Sequence, residues 1–177
     1  LSIRSAEQIG HHFDYVIWKS LLQAPPLEDI LAALIKFLFP QQKTDLSDTI
    51  DGQISQMLAY LREHRCLLIL DNFEAILQSG KRAGYWREGY EEYGELLKRV
   101  GTERHQSCLV LTSRENPKEI VALEAKDLPV CSLTIQGLKE VDARQIFETK
   151  GLSDAEYWGD IIKIFEAQLH SSFCIFI

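Results

Sequence analysis

No apolar run in the sequence approaches the roughly 20 residues needed to cross a bilayer. The longest, Leu31 to Leu38 and Cys66 to Leu70, stop well short of that length, so no membrane association is expected. Lys and Arg nowhere gather into a cluster able to neutralise a row of phosphates, and the formal net charge is −7. A nucleic-acid partner is therefore not expected, since affinity there comes mostly from phosphate contacts. The acidic balance by itself points to solubility and to no particular partner. None of the four cysteines, Cys66, Cys108, Cys131 and Cys174, falls in a C-x-x-C pair, so zinc and redox chemistry are not indicated. Three of them lie in apolar runs, where a free cysteine behaves as a small buried hydrophobe in a reducing cytosol, and a cytoplasmic location is expected. The histidines, His11, His12, His64, His105 and His170, show no H-E-x-x-H or other ligand spacing and read as solvated caps. There is no internal repeat. The opening Leu-Ser-Ile-Arg-Ser lacks the basic and apolar regions of a signal peptide, and a start at Leu1 rather than at methionine suggests a piece of a longer chain.

What is present is an ordinary globular composition. The chain has 177 residues, 46% hydrophobic and 25% charged, which suits about one domain with a single core. Short β-rich runs alternate with longer helical ones. Ile3, Ala6, Ile9 and Phe13 fall at helical spacing, so Ser2 to His12 reads as the later turns of a helix. Tyr15 to Trp18 is β-branched and aromatic, as in a strand buried on both faces. After Pro25 and Pro26, the positions Leu27, Ile30, Leu31, Leu34, Ile35 and Leu38 share one helix face. Ile50, Ile54, Met57, Leu58 and Leu61 form a second stripe. Cys66 to Leu70 is the next strand, closed by Asp71 and followed by a short helical Phe73 to Leu77. Ser79 to Gly89 reads as a surface loop, Tyr90 to Val100 as a helix, and Cys108 to Leu111 as a strand ending in Thr112, Ser113 and Arg114. Val130 to Ile135 is a further strand, followed by helices from Lys139 to Lys150 and from Ser153 to about Gln168. Strands alternating with helices call for parallel pairing, with helices on both faces and ligands at the carboxyl ends of the strands.

Two strand ends carry polar groups that a plain turn does not require. Asp71, after five apolar residues, is suited to holding Mg²⁺, a hard cation that takes oxygen ligands and keeps several waters. It is equally suited to capping or turning the chain before Phe73. Arg114 can reach a terminal phosphate with its fork of donors, or can be a surface arginine paired with Glu115 or Asp71. A G-x-x-x-x-G-K-S/T loop, which cradles phosphates with backbone N–H groups, is absent. The nearest approach, Gly80-Lys81, has Ala75 in place of the first glycine and Arg82 in place of the hydroxyl.

The series Phe13-Asp14-Tyr15-Val16-Ile17-Trp18, Cys66 through Glu74, Leu109 through Glu115, and Leu138 with Asp142-Ala143 and Ile146-Phe147 resembles an NB-ARC domain. That family belongs to the STAND class of signal-transduction ATPases, and this version is similar to those ahead of WD-repeat arrays in cyanobacteria. The resemblance covers roughly Leu1 to Trp158. It implies an α/β, P-loop NTPase-like parallel sheet with flanking helices, followed by the start of a helical ARC subdomain. It divides the chain into a nucleotide-binding part, 1–137, without its P-loop strand and loop, a partial ARC subdomain, 138–168, and an atypical apolar tail, 169–177. By the same resemblance, Asp71 matches the Walker B aspartate that holds Mg²⁺. Arg114 matches the arginine that senses the γ-phosphate, Ser113 beside it is a further nucleotide-contact candidate, and Glu74 is the candidate for polarising water. The family's usual second acidic residue is replaced by Asn72.

The resemblance implies a switch in which ADP holds the module closed, ATP opens it and hydrolysis resets it, with Mg²⁺ as cofactor and WD repeats as a C-terminal partner. Without the phosphate cradle, the chain alone is expected neither to bind nucleotide well nor to turn it over. From Glu166 onward the sequence departs from the family, which suggests a truncated or frameshifted reading frame. Two other classes remain open. One is a non-catalytic interaction module of the same fold, supported by Tyr85, Trp86, Tyr90 and Tyr93 if these line an interface rather than pack as half-buried side chains. The other is a receiver-like or flavin-binding doubly wound domain, disfavoured because the first strand ends in Lys19-Ser20 rather than in clustered acids.

Overall fold

The structure is a computed structural model that describes residues 9–38, 46–124, 128–135, 140–149, 151, 158–159 and 172–176. The chain divides into two compact units, one comprising Leu1–Leu133 with Phe173–Ile177 and the other Thr134–Ser172.

The first unit is built on three parallel strands, β1 (Tyr15–Ser20), β2 (Cys66–Asp71) and β3 (Cys108–Ser113). β2 lies in the middle, and its run Cys-Leu-Leu-Ile-Leu is buried at every position, as a strand covered on both faces requires. Alternation sends Leu68, Leu70, Leu109, Leu111 and Ile17 into one continuous core and Leu67, Ile69 and Val110 into a smaller cluster with Phe13 and Cys108. β1 is at the edge of the sheet order, and this corrects the expectation that it is covered on both sides: Val16 and Trp18 are 39% and 42% exposed.

The helices form where the apolar spacing predicts them. In α1 (Leu27–Leu38), Leu27, Ile30, Leu31, Leu34, Ile35 and Leu38 are all buried. Helix α2 (Ile50–Glu63) starts at Thr49, whose hydroxyl accepts the Gly52 amide at 3.2 Å, satisfying one of the donors that a helix start leaves open. Helix α3 (Glu92–Thr102) buries Tyr93, Leu96, Leu97 and Val100. A short helix, α4 (Lys118–Glu124), follows Pro117 and buries Ile120 and Leu123; the sequence reading has no element there. These four helices contribute to the one large core. Among the described residues none contributes to the smaller cluster on the other face, so the expected two-sided helical cover is seen on one side only.

β4 (Cys131–Ile135) begins one residue later than expected. The apolar tail supplies a strand, β5 (Ser172–Phe176), and the sheet order is β1-β2-β3-β5-β4. β5 pairs with β3 in antiparallel register, Val110 with Phe176 through Ser113 with Phe173, so the sheet is mixed rather than wholly parallel. In the second unit, α5 (Glu140–Thr149) matches the helix expected from Lys139 to Lys150. Of the expected opening helix, residues 2–8 lie outside the described residues, and Gly10–His12 form a single 3-10 turn. Leu138 and most of the expected helix from Ser153 to Gln168 also lie outside them. No helix among the described residues is long and apolar enough to cross a membrane. Of the cysteines, Cys66 is buried, Cys108 half-buried and Cys131 exposed, so the buried-hydrophobe reading holds fully for Cys66. Burial pushes the thiols of Cys66 and Cys108 up.

Candidate functional site

Register puts three polar residues in one row at the carboxyl ends of the parallel strands. Ser20 is the partner of Asp71, and Leu70 is the partner of Leu111, so Asp71 and Thr112 are the next residues along that pair. Period-two alternation gives them the face of Leu67, Ile69 and Val110. The row is closed by hydrogen bonds. The Thr112 hydroxyl donates to Oδ1 of Asp71, the Asn72 amide donates to the Thr112 hydroxyl oxygen at 3.2 Å, and the Ser20 hydroxyl donates to Oδ1 of Asn72 at 3.4 Å. The Asp71 carbonyl accepts the Leu21 amide at 2.8 Å, tying the end of β1 to the end of β2.

The backbone leaves β2 through Asn72, at φ 61°, a left-handed conformation that Asn tolerates better than most residues. It enters a 3-10 turn, Phe73–Ile76, in place of the expected short helix to Leu77. The capping alternative for Asp71 is not what its carboxylate does: Asn72 occupies the N-cap position, without a side-chain cap bond, and the Asp71 carboxylate goes to Thr112. Phe73 is fully buried, edge-on to Trp86 at 6.0 Å and to Tyr93 at 5.9 Å between ring centroids. Asp71 is thus held by strand pairing on one side and by an aromatic anchor two residues later.

Just beyond this row, Arg114 Nε donates to Oε1 of Glu74 at 2.9 Å. The pair is lopsided: the Arg114 side chain is 71% exposed and that of Glu74 15%. As a surface ion pair, Arg114 was expected to take Glu115 or Asp71. Instead Glu74 takes Nε, and among the described residues the two Nη groups have no partner. Ser113 is on the opposite face, 3% exposed, and its hydroxyl oxygen accepts the Glu115 amide at 3.2 Å. The structure therefore gathers Asp71, Glu74 and Arg114 around one strand-end rim and puts Ser113 on the core side of β3.

Thr112, Ser20 and Asn72 complete the row, and the sequence reading assigned none of them a role. Thr112 was legible in principle, because in a strand ending Val110-Leu111-Thr112-Ser113 only Thr112 has the parity of Val110 and hence the face of Asp71.

Of the aromatic set, Trp86 and Tyr93 are buried, Tyr90 is half-buried and Tyr85 is exposed. Trp86 is 6% exposed and Tyr93 fully buried. Trp86 Nε1 donates to Glu119 at 2.9 Å, and the Tyr90 and Tyr93 hydroxyls donate to the carbonyls of Ala24 and Pro25 at 2.6 and 3.0 Å. The expected surface loop Ser79–Gly89 is exposed at Ser79, Gly80, Arg82, Ala83, Tyr85 and Arg87 to Gly89, with Trp86 turned into the core and bridged to Leu77.

As a donor set, the row of Asp71, Thr112, Ser20 and Asn72 offers one carboxylate, two hydroxyls and an amide oxygen, all hard oxygen ligands. Among the described residues no group of three His, Cys, Asp or Glu side chains could hold a metal by itself. Such a set can offer one carboxylate to a hard cation that keeps most of its own waters.

No known protein-family description matches the chain, and no solved structure matches it. It is similar to an uncharacterized WD repeat-containing protein of Nostoc sp., with 52% identity over 138 residues, which is 78% of this chain and 11% of that protein. The chain thus spans about a tenth of the relative's length.

Proposed function

We propose that this chain belongs to a nucleotide-dependent signalling switch of the NB-ARC kind and forms the Mg²⁺-facing and γ-phosphate-facing side of its ADP/ATP cleft. The observation that supports this reading above all is the placement of Asp71 and Arg114 at the ends of adjacent parallel strands, the carboxylate bonded to Thr112 and the guanidinium to Glu74. Ligands of open α/β sheets bind at such ends, and a carboxylate with a nearby arginine is the charge pattern that Mg²⁺ and a terminal phosphate require. Asp71 is the residue that would hold Mg²⁺, which when bound neutralises charge on the β- and γ-phosphates.

The Glu74–Arg114 pair gives the switch its selectivity. A diphosphate leaves the pair intact, whereas a γ-phosphate draws Arg114 away from Glu74. Glu74 sits one residue after Phe73, so releasing it loosens the 3-10 turn packed on Trp86 and Tyr93. Two nucleotides that bind two conformations with different affinity are what a population shift needs. The freed Glu74 carboxylate is the group available to orient water. The relative's WD repeats, carried over as part of the same proposal, are the module to which the nucleotide state is relayed.

The test is an amide NMR titration of the 177-residue chain with millimolar Mg-ADP and Mg-ATP. The amides of Asn72, Glu74 and Glu115 are expected to shift, more for the triphosphate. Asp71→Asn is expected to abolish the response to both nucleotides and Arg114→Ala only the excess for the triphosphate. Equal shifts with AMP, or shifts spread over the whole surface, overturn the reading.

A further inference from the structure

β5 is the last strand in sequence order, yet it sits inside the sheet, between β3 and β4, both of which precede it. It is also the strand that breaks the parallel run, pairing with β3 in the antiparallel sense. Phe173–Ile177 group with Leu1–Leu133, although they follow the second unit in sequence.

β5 covers β3 along Val110–Ser113, in a strand whose Leu109, Val110 and Leu111 are buried, so without a strand there the β3 backbone would lack its partner on that side. Unpaired backbone groups at such a site are costly, so the slot between β3 and β4 demands an occupant. A strand entering an open edge draws its affinity from main-chain pairing. The sequence Ser-Phe-Cys-Ile-Phe has no charge and no proline, the devices by which strands discourage pairing with other chains. Nothing in the pairing distinguishes the chain's own Ser172–Phe176 from that of another copy.

We infer that β5 is an exchangeable strand: the slot between β3 and β4 takes Ser172–Phe176 of a second copy of this chain as well as its own, giving a reciprocally strand-exchanged dimer. Exchange of an identical element is a low-cost route to association. A tethered segment competes with an effective concentration on the order of millimolar, which sets where the exchanged form gains. The inference does not depend on the nucleotide reading.

The experiment uses Thr112→Cys, because Thr112 is the register partner of Cys174. A mixture of ¹⁴N- and ¹⁵N-labelled chains is unfolded in urea and refolded at about 1 µM and about 1 mM, on either side of the effective concentration. It is then oxidised, fractionated with light scattering, and mapped by peptide mass spectrometry. The expected result is a dimer in the concentrated sample whose link between positions 112 and 174 joins peptides of mixed label, and a monomer linked within one copy in the dilute sample. Monomer with same-copy links at both concentrations overturns the inference. So does a dimer whose 112–174 links are all within one copy, or a complete absence of that link. Should Thr112→Cys fail to fold, the wild-type chain and Cys174→Pro are compared at the same concentrations. Proline cannot complete the ladder of an interior strand, so the wild-type dimer should disappear in the variant; a dimer that persists, or none in the wild type, overturns the inference.

Discussion

Thr112 spans the junction of two parallel strands: its hydroxyl proton goes to the Asp71 carboxylate of β2, and its oxygen accepts the amide of Asn72, the residue that turns the chain out of β2. One hydroxyl therefore serves two needs. It supplies a partner for a half-buried carboxylate, and it satisfies a backbone donor at a left-handed residue whose own strand has ended. Both partners are polar groups whose isolation is costly.

Removing that hydroxyl while keeping the shape separates the two roles from simple packing. Thr112→Val is expected to destabilise the chain by about 1–3 kcal/mol, the usual cost of leaving a hydrogen-bonded carboxylate and a backbone amide unpaired. Thr112→Ser, which keeps the hydroxyl, should lose less. Urea denaturation of the three chains reads this directly, and equal midpoints for Val and wild type would show that the contact carries no stability.

Phe73 is the anchor that fixes where Asp71 and Glu74 stand. It is fully buried against Trp86 and Tyr93, so Phe73→Ala should cost about 3–5 kcal/mol through lost burial and the cavity left behind. Against a total of roughly 5–15 kcal/mol for a natural domain, that brings the chain near its unfolding threshold. Phe73→Leu keeps most of the apolar volume and should retain a folded chain in thermal melts; a Phe73→Ala melt matching wild type would contradict the anchor.

How much of this was legible depends on how local the cause is. Cys66 to Leu70 followed by Asp71, and Leu109 to Leu111 followed by Thr112-Ser113-Arg114, announce strands by composition and strand ends by the first polar residue. Helices α1 to α3 announce themselves by apolar spacing. Helix α4 carries only two buried side chains in seven residues, too short a stripe for periodicity to register. The choice between Thr112 and Ser113 turned on alternation along β3, and the partner of Arg114 on a turn whose 3-10 geometry brings Glu74 across. β5 was the least legible. A five-residue apolar segment reads as strand or buried helix with equal ease, and its place is set by pairing with β3, a contact that no local pattern encodes.

Glu103 provides a pH-dependent contribution away from the rim. A hydrogen bond from Arg99 holds its carboxyl below the ordinary carboxylate range, against the opposing effect of burial, with the charges of Arg99 and Arg62 adding to the depression. The same hydrogen bond raises Arg99. A folded-state value below the unfolded one means that stability is present above the unfolded value, about 4.3 for Glu, and is lost as pH falls through the folded value. Glu103→Gln should therefore lower the urea midpoint at pH 7, and the difference from wild type should shrink progressively below about pH 4.3. A difference that stays constant down to pH 2.5 would contradict this contribution.

The Glu74–Arg114 pair makes a prediction in which stability and ligand response part company. Arg114 is mostly exposed, and exposed ion pairs contribute about 0–1 kcal/mol, so Arg114→Ala should leave the urea midpoint almost unchanged. If the guanidinium is poised for a phosphate, its effect appears with ligand. Affinity for Mg-ATP should be weak, in the millimolar range or beyond, because the 177 residues contain no G-x-x-x-x-G-K-S/T cradle of backbone N–H groups and nearly all nucleotide grip comes from such positioning. Glu74→Gln weakens the competing partner of Arg114 and should therefore strengthen Mg-ATP binding severalfold without equal gain for Mg-ADP, whereas Arg114→Ala should erase the difference between the two. Calorimetry at millimolar nucleotide measures all three chains. Micromolar binding by the wild type would mean that another part of the chain grips phosphate. An unchanged ATP-to-ADP ratio in Glu74→Gln would mean that the ion pair is only a surface contact and that the rim does not sense the third phosphate.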